Sequence, residues 1–65
     1  MKQGRRLFMY CKDVMMITGK GEKASRNLIR RIKRAFDKKD HQDITVIEFS
    51  VYTGADLEDL WPYIR

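Results

Sequence analysis

The chain has 65 residues and a mass of 7.8 kDa, which allows one domain near the lower size limit for independent folding. It is 43% apolar and 35% charged, with 14 Lys/Arg against 9 Asp/Glu and a net charge of +5. That composition excludes a multidomain enzyme and a disordered tail, and the longest apolar run, Leu7 to Cys11, is far short of the ~20 residues that span a bilayer.

Cys11 is the only cysteine, so no internal disulfide can form. A chain this small outside the cell is usually stapled by disulfides, and a cytoplasmic location with no membrane association is therefore expected. Residues 1–6 are basic and lead into too few apolar residues for a signal peptide; they are expected to form a flexible basic arm, with a single domain over residues 7–65. Charge is divided along the chain. Residues 1–39 carry 13 Lys/Arg and 3 Asp/Glu, so +10, and residues 40–65 carry 1 Arg and 6 Asp/Glu, so −5. The split predicts a basic working face and a separate acidic surface.

After the apolar lead-in Leu7–Tyr10, the segment Lys12–Thr18 predicts a short helix with Val14, Met15 and Ile17 turned inward. Gly19 and Gly21 follow and bracket Lys20, marking a turn, because glycine accepts the left-handed backbone past a helix end. The next helix, over residues 22–37, carries the strongest periodic signal. Ala24, Leu28, Ile32 and Phe36 recur every four residues, and Ile29 and Ala35 widen the stripe to about 140° of the circumference. The opposite face holds Arg26, Asn27, Arg30, Arg31, Lys33 and Arg34. Arg26, Arg30 and Arg34 stack on successive turns, which costs an isolated helix a few tenths of a kcal/mol per like pair. Folding does not require that arrangement, and a polyanion would relieve it.

A polar turn, 37–43, leads into Ile44–Gly54, where two readings compete. The β-branched and aromatic residues favour a strand, for which only Leu7–Tyr10 is available as a partner. The capping-box string Thr45-Val46-Ile47-Glu48 and the terminal Gly54 favour a helix, which is the reading preferred. The last segment opens with Asp56 as N-cap and places Leu57, Leu60, Trp61 and Ile64 on one side, with Pro62 shortening or kinking the helix. The sum is an all-α fold: a compact domain of three to four helices containing a helix-turn-helix.

The string Lys12-Asp13-Val14-Met15-Met16-Ile17-Thr18-Gly19, followed by Ala24 to Ile32, resembles the small helix-turn-helix DNA-binding proteins of the excisionase and MerR-like type. In those an aspartate opens the first helix, a glycine ends it and a basic, apolar-faced second helix follows. Ile44-Thr45-Val46-Ile47-Glu48-Phe49 is similar to the segment that returns to their core, and the resemblance covers roughly residues 7–54. It implies a sequence-specific DNA-binding protein, in transcription regulation or as an excisionase-like factor in DNA recombination. The basic helix would enter the major groove of double-stranded DNA. Lys23, Arg26, Asn27 and Arg30 are the candidate base contacts, since Arg suits guanine and Asn suits adenine. Lys20, Arg31 and Arg34 are the candidate phosphate contacts, with the arm adding more. About five phosphate contacts give a slope near −4.5 for log K against log salt.

Other chemistry is poorly supplied. His41 has no nucleophile or base partner nearby in sequence, Lys20-Gly21 lacks the rest of a phosphate-binding loop, and no second cysteine or histidine cluster offers a metal site. No catalytic residue, metal or cofactor is expected, and an enzyme is the least favoured class. Two other readings stay open. One is a protein-interaction module docking a partner through the acidic C-terminal half. The other is RNA binding, which is disfavoured by the lack of a recognisable stacking platform. A homodimer or protein partner would use the lead-in or the C-terminal segment, where Trp61 and Tyr63 offer aromatic anchors.

Overall fold

A computed structural model describes residues 6–64. The elements run β1 (Phe8–Met9), α1 (Cys11–Thr18), α2 (Glu22–Ala35), β2 (Ile44–Thr45), α3 (Val46–Thr53) and α4 (Leu57–Leu60), and the chain closes with a 3-10 turn, Trp61–Tyr63. The fold is mostly helical, but the all-α expectation needs one correction. Strands β1 and β2 pair antiparallel, with Phe8 opposite Thr45 and Met9 opposite Ile44. The ladder continues one step further, where the Val46 amide donates to the Leu7 carbonyl at 2.9 Å.

The competing readings of 44–54 are thus both realised, in succession. Ile44 and Thr45 are extended and pair with the one partner available, and the helix begins at the next residue. The switch is made by Thr45. Its hydroxyl accepts the Glu48 amide at 3.0 Å, and the Glu48 carboxylate accepts the Thr45 amide at 2.8 Å. This reciprocal pair satisfies amides that the first helical turn leaves without partners. At the other end Gly54 is left-handed, φ 83°, and its amide donates to the Ser50 carbonyl at 2.9 Å.

Helix α1 starts one residue earlier than the sequence pattern indicates, at Cys11. Asp13 in its first turn accepts the Tyr10 amide at 2.9 Å, and Gly19 closes it in the left-handed conformation at φ 75°. Three residues then suffice to start α2. Helix α2 ends at Ala35, two residues short of the expected 37. Asp37 takes φ 55°, so the chain leaves the helix there. The Lys38 amide donates to the Lys33 carbonyl at 2.8 Å and the Asp37 amide to the Arg34 carbonyl at 3.2 Å, the bond pair of a Schellman ending. Asp serves in place of glycine because its short polar side chain tolerates the left-handed region.

The core is formed by Met9, Val14, Ile32, Ile44, Val46, Phe49, Leu60 and Ile64, with Ile17, Leu28, Ile29, Leu57 and Trp61 packed around it. The two strands therefore supply one wall and every helix contributes at least one residue. Leu57, Leu60, Trp61 and Ile64 turn inward together, with Pro62 inside the 3-10 turn, as their spacing requires.

The inward face of α2 is rotated from the expected stripe. Ala24, Ala35 and Phe36 are exposed, while Leu28 and Ile29 are half-buried and Ile32 and Ser25 are buried. Ser25 lies midway between Leu28 and Ile29 around the helix, so the packed arc is centred on a serine rather than on the alanines. Its hydroxyl oxygen is buried without a hydrogen-bond partner.

Among the described residues no helix is long and apolar enough to cross a membrane.

Candidate nucleic-acid interface

Helix α2 places all its expected contact residues on one side. With about 100° per residue, Arg26, Arg30, Lys23, Arg34, Asn27 and Arg31 occupy, in that angular order, an arc of about 140°. That arc is centred opposite Ser25. All six are exposed, and so is Lys20 in the connection before the helix. Burial of Leu28, Ile29 and Ile32 fixes this orientation, because rotating the helix to hide the cations would expose the apolar residues. The helix is about 21 Å long at 1.5 Å per residue, so the stripe is long relative to the domain.

The side chains border several shallow depressions, two of which adjoin along the candidate contacts, while Arg26, Arg30 and Arg34 also border hollows lined by Lys33 and Asp40. Glu22, Lys23, Arg26, Asn27 and Arg30 line the first. Asn27, Arg30, Arg31 and Arg34 line the second. The four candidate base-contact residues thus share one surface, two of the three candidate phosphate-contact residues share the next, and Asn27 and Arg30 border both. Lys20 lies outside these two depressions.

Most of the cations are uncompensated. Lys20, Lys23, Arg31 and Arg34 have no side-chain hydrogen bond or ion pair among the described residues. Arg30 makes one weak contact, Nη1 to Asn27 Oδ1 at 3.4 Å. Arg26 is the exception, donating through Nη2 to Glu22 Oε2. Both partners of that pair are exposed, so it contributes little to stability. The macrodipole favours Glu22 in the first turn of α2 and Lys33 and Arg34 in the last, which offsets part of the repulsion.

Two side chains were not singled out as contacts from sequence. Glu22, in the first turn of α2 where the helix dipole favours a carboxylate, lines the same depression as the base-contact candidates. Lys33, counted with the outer face, is half-buried and its Nζ donates to the Asp40 carbonyl at 2.8 Å, so it ties the end of α2 to the following turn. The i+4 spacing to Arg26 was the available signal for Glu22. No local signal marks the Lys33 contact.

Two ion pairs tie the segments that flank the helices to α1 and α3. Arg6 reaches Asp13 in a two-pronged pair, Nη1 to Oδ2 and Nη2 to Oδ1, each 3.0 Å, and its guanidinium lies 5.6 Å from the centre of the Tyr10 ring. Burial pushes the Asp13 carboxyl up, but the Arg6 hydrogen bond, the Tyr10 amide and the Arg6 charge outweigh it and hold the group below its ordinary value of 3.8. Of the arm expected over 1–6, Arg6 is therefore anchored at the start of α1, and residues 1–5 lie outside the described residues. Lys38, just past α2, donates to both oxygens of Glu48 at 2.9 and 3.0 Å. Burial again pushes the Glu48 carboxyl up, and the Lys38 and Thr45 hydrogen bonds with the Lys38 charge bring it below 4.5. The same carboxylate thus caps α3 and clamps it to the end of α2.

Among the described residues no three His, Cys, Asp or Glu side chains come together as a metal-binding group. His41 is exposed, and Cys11 is half-buried with its thiol 3.7 Å from the Glu22 carbonyl. In the C-terminal segment Leu60 and Ile64 belong to the core, while Tyr63 stays exposed.

Comparison of the chain with protein-family models, with curated proteins and with solved structures finds no match.

Proposed function

We propose that this protein binds duplex DNA sequence-specifically, with α1, the Gly19-Lys20-Gly21 connection and α2 acting as a helix-turn-helix and α2 lying in the major groove. The observation that carries this reading is the largely uncompensated cationic face of α2, held outward by the burial of Leu28, Ile29 and Ile32. Four arginines and a lysine on one face of a 14-residue helix repel one another, and a duplex with one negative charge per about 1.7 Å removes that cost. Lys23, Arg26, Asn27 and Arg30 face the base edges in the first turns, and Arg31, Arg34 and Lys20 meet the phosphates. Such a module serves transcription regulation or an excisionase-like step in DNA recombination, and works in the cytoplasm without cofactor or catalysis.

The test is a fluorescence-anisotropy titration of labelled duplex with the whole chain and with the Arg26→Ala/Arg30→Ala double variant. Both altered residues are exposed, so the variant keeps its circular-dichroism spectrum. Affinity falls by at least tenfold if the reading is right. Equal affinity of the two proteins refutes it.

A second reading, a module that docks another protein through the C-terminal half, draws on Ile47 and Val51. These lie one turn apart on α3 and are 51% and 66% exposed. Partner capture with no duplex affinity at low salt would favour it.

A further inference from the structure

Glu22 is the one acidic side chain among those lining the depression formed with Lys23, Arg26, Asn27 and Arg30. A carboxylate on a surface that meets phosphates repels them, while the helix dipole favours it at this end of α2. Resting on the DNA reading above, we infer that Glu22 and Arg26 act together as a specificity pair for two adjacent G·C base pairs. Arg26 donates to a guanine, and Glu22 accepts from the cytosine amino group of the neighbouring pair.

Three observations support it. The two side chains are exposed, with about 60% of the Glu22 side chain and 65% of the Arg26 side chain open to a ligand. They are joined to each other, and only through Arg26 Nη2 and Glu22 Oε2, which leaves Glu22 Oε1 as an acceptor and the remaining guanidinium N–H groups as donors. They stand four residues apart on α2, a rise of about 6 Å, and side chains drawn together by an ion pair address neighbouring base pairs rather than distant ones. The pair also eases the charge problem, since the arginine offsets the charge of the carboxylate beside it.

The chemistry of the groove then sets the choice of base. Guanine presents N7 and O6, both acceptors, to the guanidinium. Cytosine presents its N4 amino donor to the carboxylate. At the Glu22 position guanine and thymine offer acceptors that repel it, and adenine offers its N6 donor beside an N7 acceptor. Cytosine is the base that gives without opposing.

The experiment is selection of bound sequences from a random duplex pool by the whole chain, by Glu22→Gln and by Glu22→Ala, with circular dichroism on each. The wild type should enrich a motif holding a G·C step. Glu22→Gln should shift the preference at one position of that step toward adenine, and Glu22→Ala should flatten it, on the order of tenfold in relative affinity, with the other positions unchanged. A motif identical in all three proteins overturns the inference while leaving the DNA reading intact, and assigns Glu22 to helix stability alone. Absence of any enriched sequence with the wild type overturns the DNA reading and this inference with it.

Discussion

Replacing Ser25 by alanine should stabilise the protein. Ser25 is fully buried in α2 and its hydroxyl has no hydrogen-bond partner. An unsatisfied buried polar group costs about 1–3 kcal/mol. Alanine is also the better helix former, by up to about 0.5 kcal/mol over serine. Against this stands the loss of one atom's packing, at about 0.1–0.2 kcal/mol for each contact it made. The balance is a gain of about 1 kcal/mol. For a domain of this size that is a rise in Tm of about 4–8 °C. The assay is urea unfolding followed by the fluorescence of Trp61, the one tryptophan, which packs against the core. The midpoint should rise with an unchanged m-value. Ser25→Leu should do the opposite, since added methylenes in a packed site cost about 1–3 kcal/mol. A loss of stability in Ser25→Ala would refute the reasoning, because it would mean that the hydroxyl is satisfied.

Gly54→Ala should cost about 1–2 kcal/mol, since Gly54 is left-handed and a Cβ there meets nothing within 4 Å, so backbone strain is the whole effect; chemical synthesis with D-alanine at 54 should restore stability. Thr45→Ala should lower stability by about 1 kcal/mol in the same unfolding assay, through loss of the cap on α3. Stability should also fall in acid. Asp13 and Glu48 have folded-state values below their ordinary 3.8 and 4.5, so the stability they contribute is complete above those values and is lost as pH drops through the lower, folded ones. Urea midpoints measured from pH 7 down to pH 2 should hold to about pH 5 and then decline, and Asp13→Asn combined with Glu48→Gln should flatten that decline.

Much of the fold was legible because its boundaries are written locally. Gly19 and Gly54 are the left-handed residues that end α1 and α3, and Thr45 with Glu48 forms the cap that the string announced. The inward side of 57–64 followed from spacing alone. The remainder depends on contacts between distant residues. Two residues of strand are too short to show a period, and Ile44 and Thr45 are extended only because Phe8 and Met9 lie beside them. Ser25 at the centre of the packed face contradicts hydropathy, and a count of apolar positions therefore turned α2 toward Ala24 and Ala35. Asp37 ends α2 without a glycine, a device any Asp can supply and few do. The outer face of α2 was insensitive to that rotation, because its charged arc is wide, and so the seven candidate contact residues all lie exposed. Beyond its i+4 spacing to Arg26, nothing in the sequence marks Glu22 as a contact, since a first-turn carboxylate suits the helix dipole in any helix, and its place beside Arg26, Asn27 and Arg30 emerges only from the surface they share.

The claim that the cations of α2 exist to meet a phosphate backbone is tested most directly by the salt dependence of duplex affinity. Log K against log salt should fall with a slope of about −4.5 for the wild type, and the Arg31→Ala/Arg34→Ala variant should be shallower by about 1.8, at 0.9 for each phosphate contact removed. A slope near zero, or one that the double variant leaves unchanged, would contradict the account.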